Sequence, residues 1–234
     1  MHLCYTEAMK YLIGLLSDSV NPWVFGFFAI GTLLLILIAS YYLRHWKNKT
    51  FKSFGIGLAL TGLAFGCWSY VTGFRPADIK LFTLLGVLLF LVALIAFFYS
   101  YVSTIKRKKD RIVYWVIGAI ALTVFIALRF MFYKSNPGFS EEGFFSFNID
   151  QIVVYAYVVL LAISMVPAAY GVSVITKNSL LSGVTRFGFS IVTIGTAILI
   201  TSPDNYMQVI NGTGMVVGMV LLAIAHIFVP LESK

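Results

Sequence analysis

Seven stretches of this chain are each long and apolar enough to cross a bilayer, whose hydrocarbon core takes roughly 17–25 helical residues. They cover approximately 22–43, 54–74, 79–102, 112–133, 149–175, 180–201 and 206–229, the sixth being the least apolar. No soluble core could absorb them. Of the 234 residues 60% are hydrophobic and 11% charged, with a mean hydropathy of +0.92, against about 25% charged in an ordinary soluble domain. The expected fold class is an all-α membrane protein: one bundle of seven transmembrane helices over 21–230, ending in a short cytoplasmic tail, 231–234.

The segment ahead of the first span reads differently. Tyr5, Met9, Leu12, Ile13, Leu16 and Val20 recur at helical spacing, while Glu7, Lys10, Ser17 and Asp18 lie off that stripe. This predicts an amphipathic helix over 1–20 lying in the membrane interface. Asn21 and Pro22 then read as the cap and first residue of span 1. No basic n-region or cleavage site marks the N-terminus as a signal peptide.

Loop charge orients the bundle. Most of the 17 basic residues follow spans 1, 3 and 5: Arg44, Lys47, Lys49 and Lys52; the run from Lys106 to Arg111; then Lys177 and Arg186. Most of the nine acids lie on the opposite side. The positive-inside rule therefore puts the N-terminus outside and the C-terminus in the cytoplasm, in a plasma or inner membrane. The net charge of +8 is thus a matter of topology, with no nucleic-acid partner implied. Lys106, Arg107, Lys108 and Lys109 also form a candidate site for anionic lipid headgroups.

An internal repeat can be read at an offset of 133. "FGIGLALTGLA" (54–64) and "FGFSIVTIGTA" (187–197) share Phe-Gly and then Gly-x-Ala, and the offset also pairs Ala29 with Ala162, Ser40 with Ser173 and Arg44 with Lys177. It lays spans 1–3 (21–105) on spans 5–7 (149–230) as a 3+1+3 parallel repeat, with span 4 (111–133) as linker. Seven spans, an outer N-terminus and such a duplication resemble the architecture of the SWEET sugar transporters. That resemblance implies a solute carrier. The proline tetrad of that family is absent, since Pro167 is the one proline inside a span.

Side-chain patterns give the helices faces. Gly55, Ala59, Gly62, Gly66, Ser69 and Gly73 form a continuous strip of small residues along span 2. Membrane helices associate where backbones can approach closely, so this strip predicts tight packing. Span 4 carries bulky aromatics and reads as peripheral. Pro167 predicts a kink in span 5, with Ser164 near enough to help the freed carbonyl.

"SPDNYMQVINGTG" (202–214) leads into span 7, with Asp204, Gln208 and Asn211 on one helical face. Ser202 and Pro203 suit a helix start. The polar face continues through Met215, Gly218 and Leu222 to His226, and polar side chains at depth turn toward the bundle interior. Arg129 and Asp150 fall on the same side. These residues predict an outward-facing polar vestibule lined by Arg129, Asp150, Asp204, Gln208 and Asn211, with Arg129 paired to Asp150 or Asp204.

Chemistry is otherwise sparse. Cys4 and Cys67 form no metal motif and could pair only if both faced an oxidising side. His45 and His226 near the inner ends are the only candidates for a haem. No metal site, cofactor or catalytic set stands out, which argues against an enzyme. Two readings follow: a carrier or channel for a small solute, and a non-catalytic subunit or sensor component of a larger membrane complex. Membrane lipid is the expected partner in both, with a monomer or homo-oligomer in the first and membrane-protein partners in the second.

Overall fold

A computed structural model describes residues 22–132, 137–140, 144–201 and 205–229, the side chains of 145, 199–201 and 205–208 excepted. The predicted interfacial helix over 1–20, Cys4, Asp204 and the tail lie outside these residues. Seven helices are long and apolar enough to span a membrane. They are α1 (Pro22–Leu43), α2 (Lys49–Gly73), α3 (Ile79–Val102), α4 (Lys108–Met131), α5 (Gln151–Ile175), α6 (Ser179–Thr201) and α7 (Asn205–Phe228).

The helices overrun the apolar stretches where local chemistry lets them. Asn48 caps α2: its Oδ1 accepts the N–H of Thr50 at 3.0 Å and of Phe51 at 3.3 Å. That starts the helix five residues before its apolar run begins. The α4 helix likewise begins within the basic loop, because a helix entering the headgroup layer needs no apolar side chains. Asn178 opens α6 through the N–H of Leu181. Pro167 sits inside α5, which is helical throughout Gln151–Ile175.

Six helices close a ring. Sequence neighbours pack as α1–α2–α3 and as α5–α6–α7; α3 meets α5 on one side, and α1 meets α7 on the other. The α4 helix stands outside this ring, mainly against α5, with Phe125 its one buried residue. The core is aromatic. Tyr42, Phe51, Phe54, Phe97 and Phe189 are its largest fully buried side chains. Phe54 joins the halves, with ring centroids 5.4 Å from Phe97 and 4.9 Å from Phe189.

The small strip of α2 faces α1 along its whole length. A β-carbon at Gly55 would meet Leu43 at 3.0 Å, one at Gly62 would meet Ile36 at 3.0 Å, and one at Gly73 would stand 2.4 Å from the Phe25 ring. The residues that marked the repeat do not sit in equivalent places. Gly55 and Gly62 pack on α1, whereas Gly188 and Gly195 pack on Leu222 and Met215 of α7 rather than on α5. Phe54 is fully buried and Phe187 is 64% exposed. Close helix approach selects glycine on any such seam, so matching glycines record packing here and lend the duplication no support.

The α4–α5 connection holds a feature that the seven apolar runs do not announce. Gly138 pairs with Ser146 and Phe139 with Phe145 in a two-stranded antiparallel ribbon. Asn148 then takes a positive φ of 43°, the left-handed conformation that asparagine tolerates, and the chain turns into α5.

Candidate functional site

A cavity of about 280 Å³ opens at the end of the bundle that carries the α4–α5 connection. One face of α3 forms a wall, with Lys80, Thr83, Val87 and Phe90 spaced by whole helical turns. Opposite stand Phe65 and Trp68 of α2 with Phe28 of α1, a cluster whose ring centroids lie 5.5–5.6 Å apart. Phe125 and Arg129 of α4, and Val153 and Tyr157 of α5, close the side. Tyr157 packs 5.7 Å from Phe125 and 5.8 Å from Phe90. Phe147 roofs the cavity, edge-on to Trp68 at 5.4 Å. Thr196 and Met215 contribute from α6 and α7.

This chamber reaches about halfway into the bundle. Phe90 lies eleven residues inside α3, or about 16 Å at 1.5 Å per residue. Beyond it the buried aromatic core fills the interior.

The polar groups of the chamber are few and mostly donors. Lys80 and Arg129 are its charged lining residues, and no carboxylate lines it among the described residues. Asp78 and Asp150 stand nearby, at the starts of α3 and α5, where a negative charge suits the helix dipole. Two donors are buried without a hydrogen-bond partner, Trp68 Nε1 and Thr83 Oγ1, and both residues are 5% exposed. Thr61, Thr72, Thr193 and Thr196 show the usual alternative, since each hydroxyl donates to the carbonyl one turn back. The Trp68 indole reaches this position because residue 86 is glycine. A β-carbon there would stand 2.5 Å from Nε1.

The residues expected to line a polar vestibule are distributed unevenly. Arg129 lines the chamber. Asp150 sits beside it in sequence to the lining Ile149, and its backbone carbonyl accepts the N–H groups of Val153 and Val154 while its side chain makes no cap bond. Asn211 is half-buried, with its carbonyl against Gly195 on the α6–α7 seam. The same seam takes Met215 against Gly195, Gly218 against Ile191 and Leu222 against Gly188. The polar-started face of α7 thus points into the bundle, and it is Met215, one turn below Asn211, that reaches the chamber. Asp204 and the Gln208 side chain lie outside the described residues. Trp68, Lys80, Thr83 and Tyr157 had no sequence signal as a set. The spacing of Lys80, Thr83, Val87 and Phe90 was the one clue.

A second polar cluster closes the far end, between α1 and α7. The Tyr42 hydroxyl lies 2.6 Å from His226 Nε2, and Nδ1 of the same ring lies 2.5 Å from the Leu222 carbonyl. A carbonyl only accepts, so Nδ1 carries the proton, and Nε2 accepts from Tyr42. The Tyr41 hydroxyl donates to the Val229 carbonyl at 2.5 Å. Both His226 nitrogens are engaged, which leaves none for an iron. Cys67 is a free, half-buried thiol on α2. Among the described residues no group of His, Cys, Asp or Glu is arranged to hold a metal.

Comparison with known proteins returned no match to any protein family, curated protein or solved structure, so the reading of this site rests on its own geometry.

Proposed function

We propose that this chain is a multi-pass carrier that loads a small solute into the aromatic chamber and releases it on the side of the basic loops. One observation carries the reading. The chamber is open at one end of the bundle and lies where α3 meets α5, while the other seam of the same two halves, α1 against α7, is latched at the opposite end by Tyr41, Tyr42 and His226. A site between two helical halves, closed on one side by a few breakable hydrogen bonds, is what alternating access by rocking requires. An open channel fits poorly, because the latched half is filled by large buried aromatic side chains. Loop charge favours an outer chamber, with the latch at the cytoplasmic face of a plasma or inner membrane. The reading gives the chamber binding and movement and no covalent chemistry.

Cysteine accessibility tests it. Thr83 lines the chamber, and Thr185 is 1% exposed at the latched end, beside Tyr42. In a Cys4→Ser, Cys67→Ser background, Thr83→Cys reacts with an impermeant maleimide added from the chamber side. Thr185→Cys reacts slowly from the basic-loop side, because a carrier visits the inward-open state. Reaction at Thr83→Cys with none at Thr185→Cys would instead make the chamber the ligand site of a receptor or complex subunit.

A further inference from the structure

We infer that the chamber takes an organic anion with an apolar, ring-sized body, held by its anionic head near Lys80 and by its body among Phe28, Phe65, Trp68, Phe90 and Tyr157. The inference rests on the chamber as the solute site and names what that site accepts.

Three independent features of the wall agree. Lys80 is a cation on the chamber wall, and no carboxylate stands among the described lining residues. The Thr83 hydroxyl on the α3 wall has no hydrogen-bond partner and can donate to an anionic head, whereas the Trp68 N–H is turned to Gly86. A ligand acceptor at Thr83 meets a donor that is otherwise unpaired. The remaining surface is aromatic, which rewards burial of a flat apolar body. A cation would meet like charge at the mouth. A sugar would leave many hydroxyls facing rings, with no carboxylate among the described lining residues to answer them. A free inorganic anion would gain nothing from the rings. The volume of about 280 Å³ sits at the small end of ligand pockets and suits a head plus one fused-ring body or a short acyl segment. Lys80 is exposed at the start of the α3 wall, one turn above Thr83, so a head at that level satisfies both.

The chemistry is shared by a dissolved aromatic or short-chain acid and by an anionic lipid entering from the bilayer. Equilibrium binding to the full chain in nanodiscs of phosphatidylcholine tests it, with 2-naphthoate, 2-naphthalenemethanol, 2-naphthylmethylammonium and inorganic phosphate as probes. The expected order is naphthoate tighter than the alcohol by about tenfold, the ammonium weaker than both, and no competition by phosphate. Lys80→Gln removes most of the naphthoate preference and Lys80→Arg restores it; the site is exposed, so neither disturbs folding. Native mass spectrometry of freshly extracted protein separates the sources. A co-purifying anionic lipid displaced by naphthoate points to the bilayer, and a vacant chain that takes naphthoate from solution points to a solute; either supports the inference. Equal binding of the three naphthyl probes, preference for the ammonium, or binding of none overturns it. Binding is read at equilibrium, so anion selectivity without reaction at Thr185→Cys would sink the carrier alone, and reaction without selectivity would sink the anion alone.

Discussion

Gly86→Ala is the sharpest perturbation the structure offers. The new β-carbon would lie 2.5 Å from Trp68 Nε1 and 2.8 Å from Cε2. Ordinary contact needs about 3.5 Å, so the indole must retreat by roughly 1 Å. Phe28, Phe65 and Phe147 hold it on other sides, with centroids 5.4–5.6 Å away. The open direction is the chamber. Overpacking of this kind costs about 1–3 kcal/mol, and replacing a mid-helix glycine by alanine returns about 1 kcal/mol. The net loss should therefore stay within about 2 kcal/mol, a modest fall in melting temperature in mild detergent. Binding of 2-naphthoate should fall by about tenfold or more, since the displaced ring occupies the site. Tryptophan emission, compared with a Trp68→Phe control, should shift with it. An unchanged affinity with an unchanged spectrum would show that residue 86 does not set the indole's place, and the description of the wall would be wrong.

Other expectations follow from the same geometry. Tyr42→Phe removes the donor to His226 Nε2, costing about 1–3 kcal/mol for the orphaned acceptor, and should speed maleimide reaction at Thr185→Cys; an unaltered rate would mean the latch holds nothing shut. Gly62→Leu forces a branched side chain against Ile36 and Leu35 and should lower the melting temperature clearly, whereas Gly183→Ala, whose β-carbon meets nothing within 4 Å, should raise stability by about 0.5–1 kcal/mol. Thermal scans of the pair check the contrast. Vesicle flotation should show that replacing Lys106, Arg107, Lys108 and Lys109 with glutamine weakens retention of anionic lipid without moving the melting temperature, since all four are exposed.

The spans were legible because bilayer thickness acts on each helix separately: a run such as 79–102 declares itself without reference to its neighbours. The α2 strip was legible for the same reason, as a property of one helix face. The chamber was not. Its wall comes from every helix, and Trp68, Thr83 and Tyr157 become a set only when α2, α3 and α5 are placed side by side. Lys80 carried no signal of its own, because charge at the end of a span marks topology in most membrane proteins; only its place on a face with Thr83 and Phe90 ties it to the chamber. Asn211 is a different case. Its helix face turns inward, as polar groups at depth should, with Met215 and Leu222 buried and the Asn211 backbone carbonyl at the Gly195 seam. The glycines at 55 and 188 show why internal similarity in membrane helices is weak evidence: each lets a neighbour in closely, and the neighbours differ.

The central claim is that two halves, α1–α3 and α5–α7, rock about a site that is open at only one end at a time. Spin labels report this directly. One pair at Phe74 and Ile152 spans the chamber end, and one at Trp46 and Ile227 spans the latched end; all four positions are exposed. Distances measured by pulsed electron paramagnetic resonance in nanodiscs should fall into two populations, the chamber-end pair shortening as the latch-end pair lengthens, with Tyr42→Phe enriching the second. A single unchanging distance at each end, in both the parent chain and Tyr42→Phe, would contradict the account and leave a rigid ligand-binding bundle.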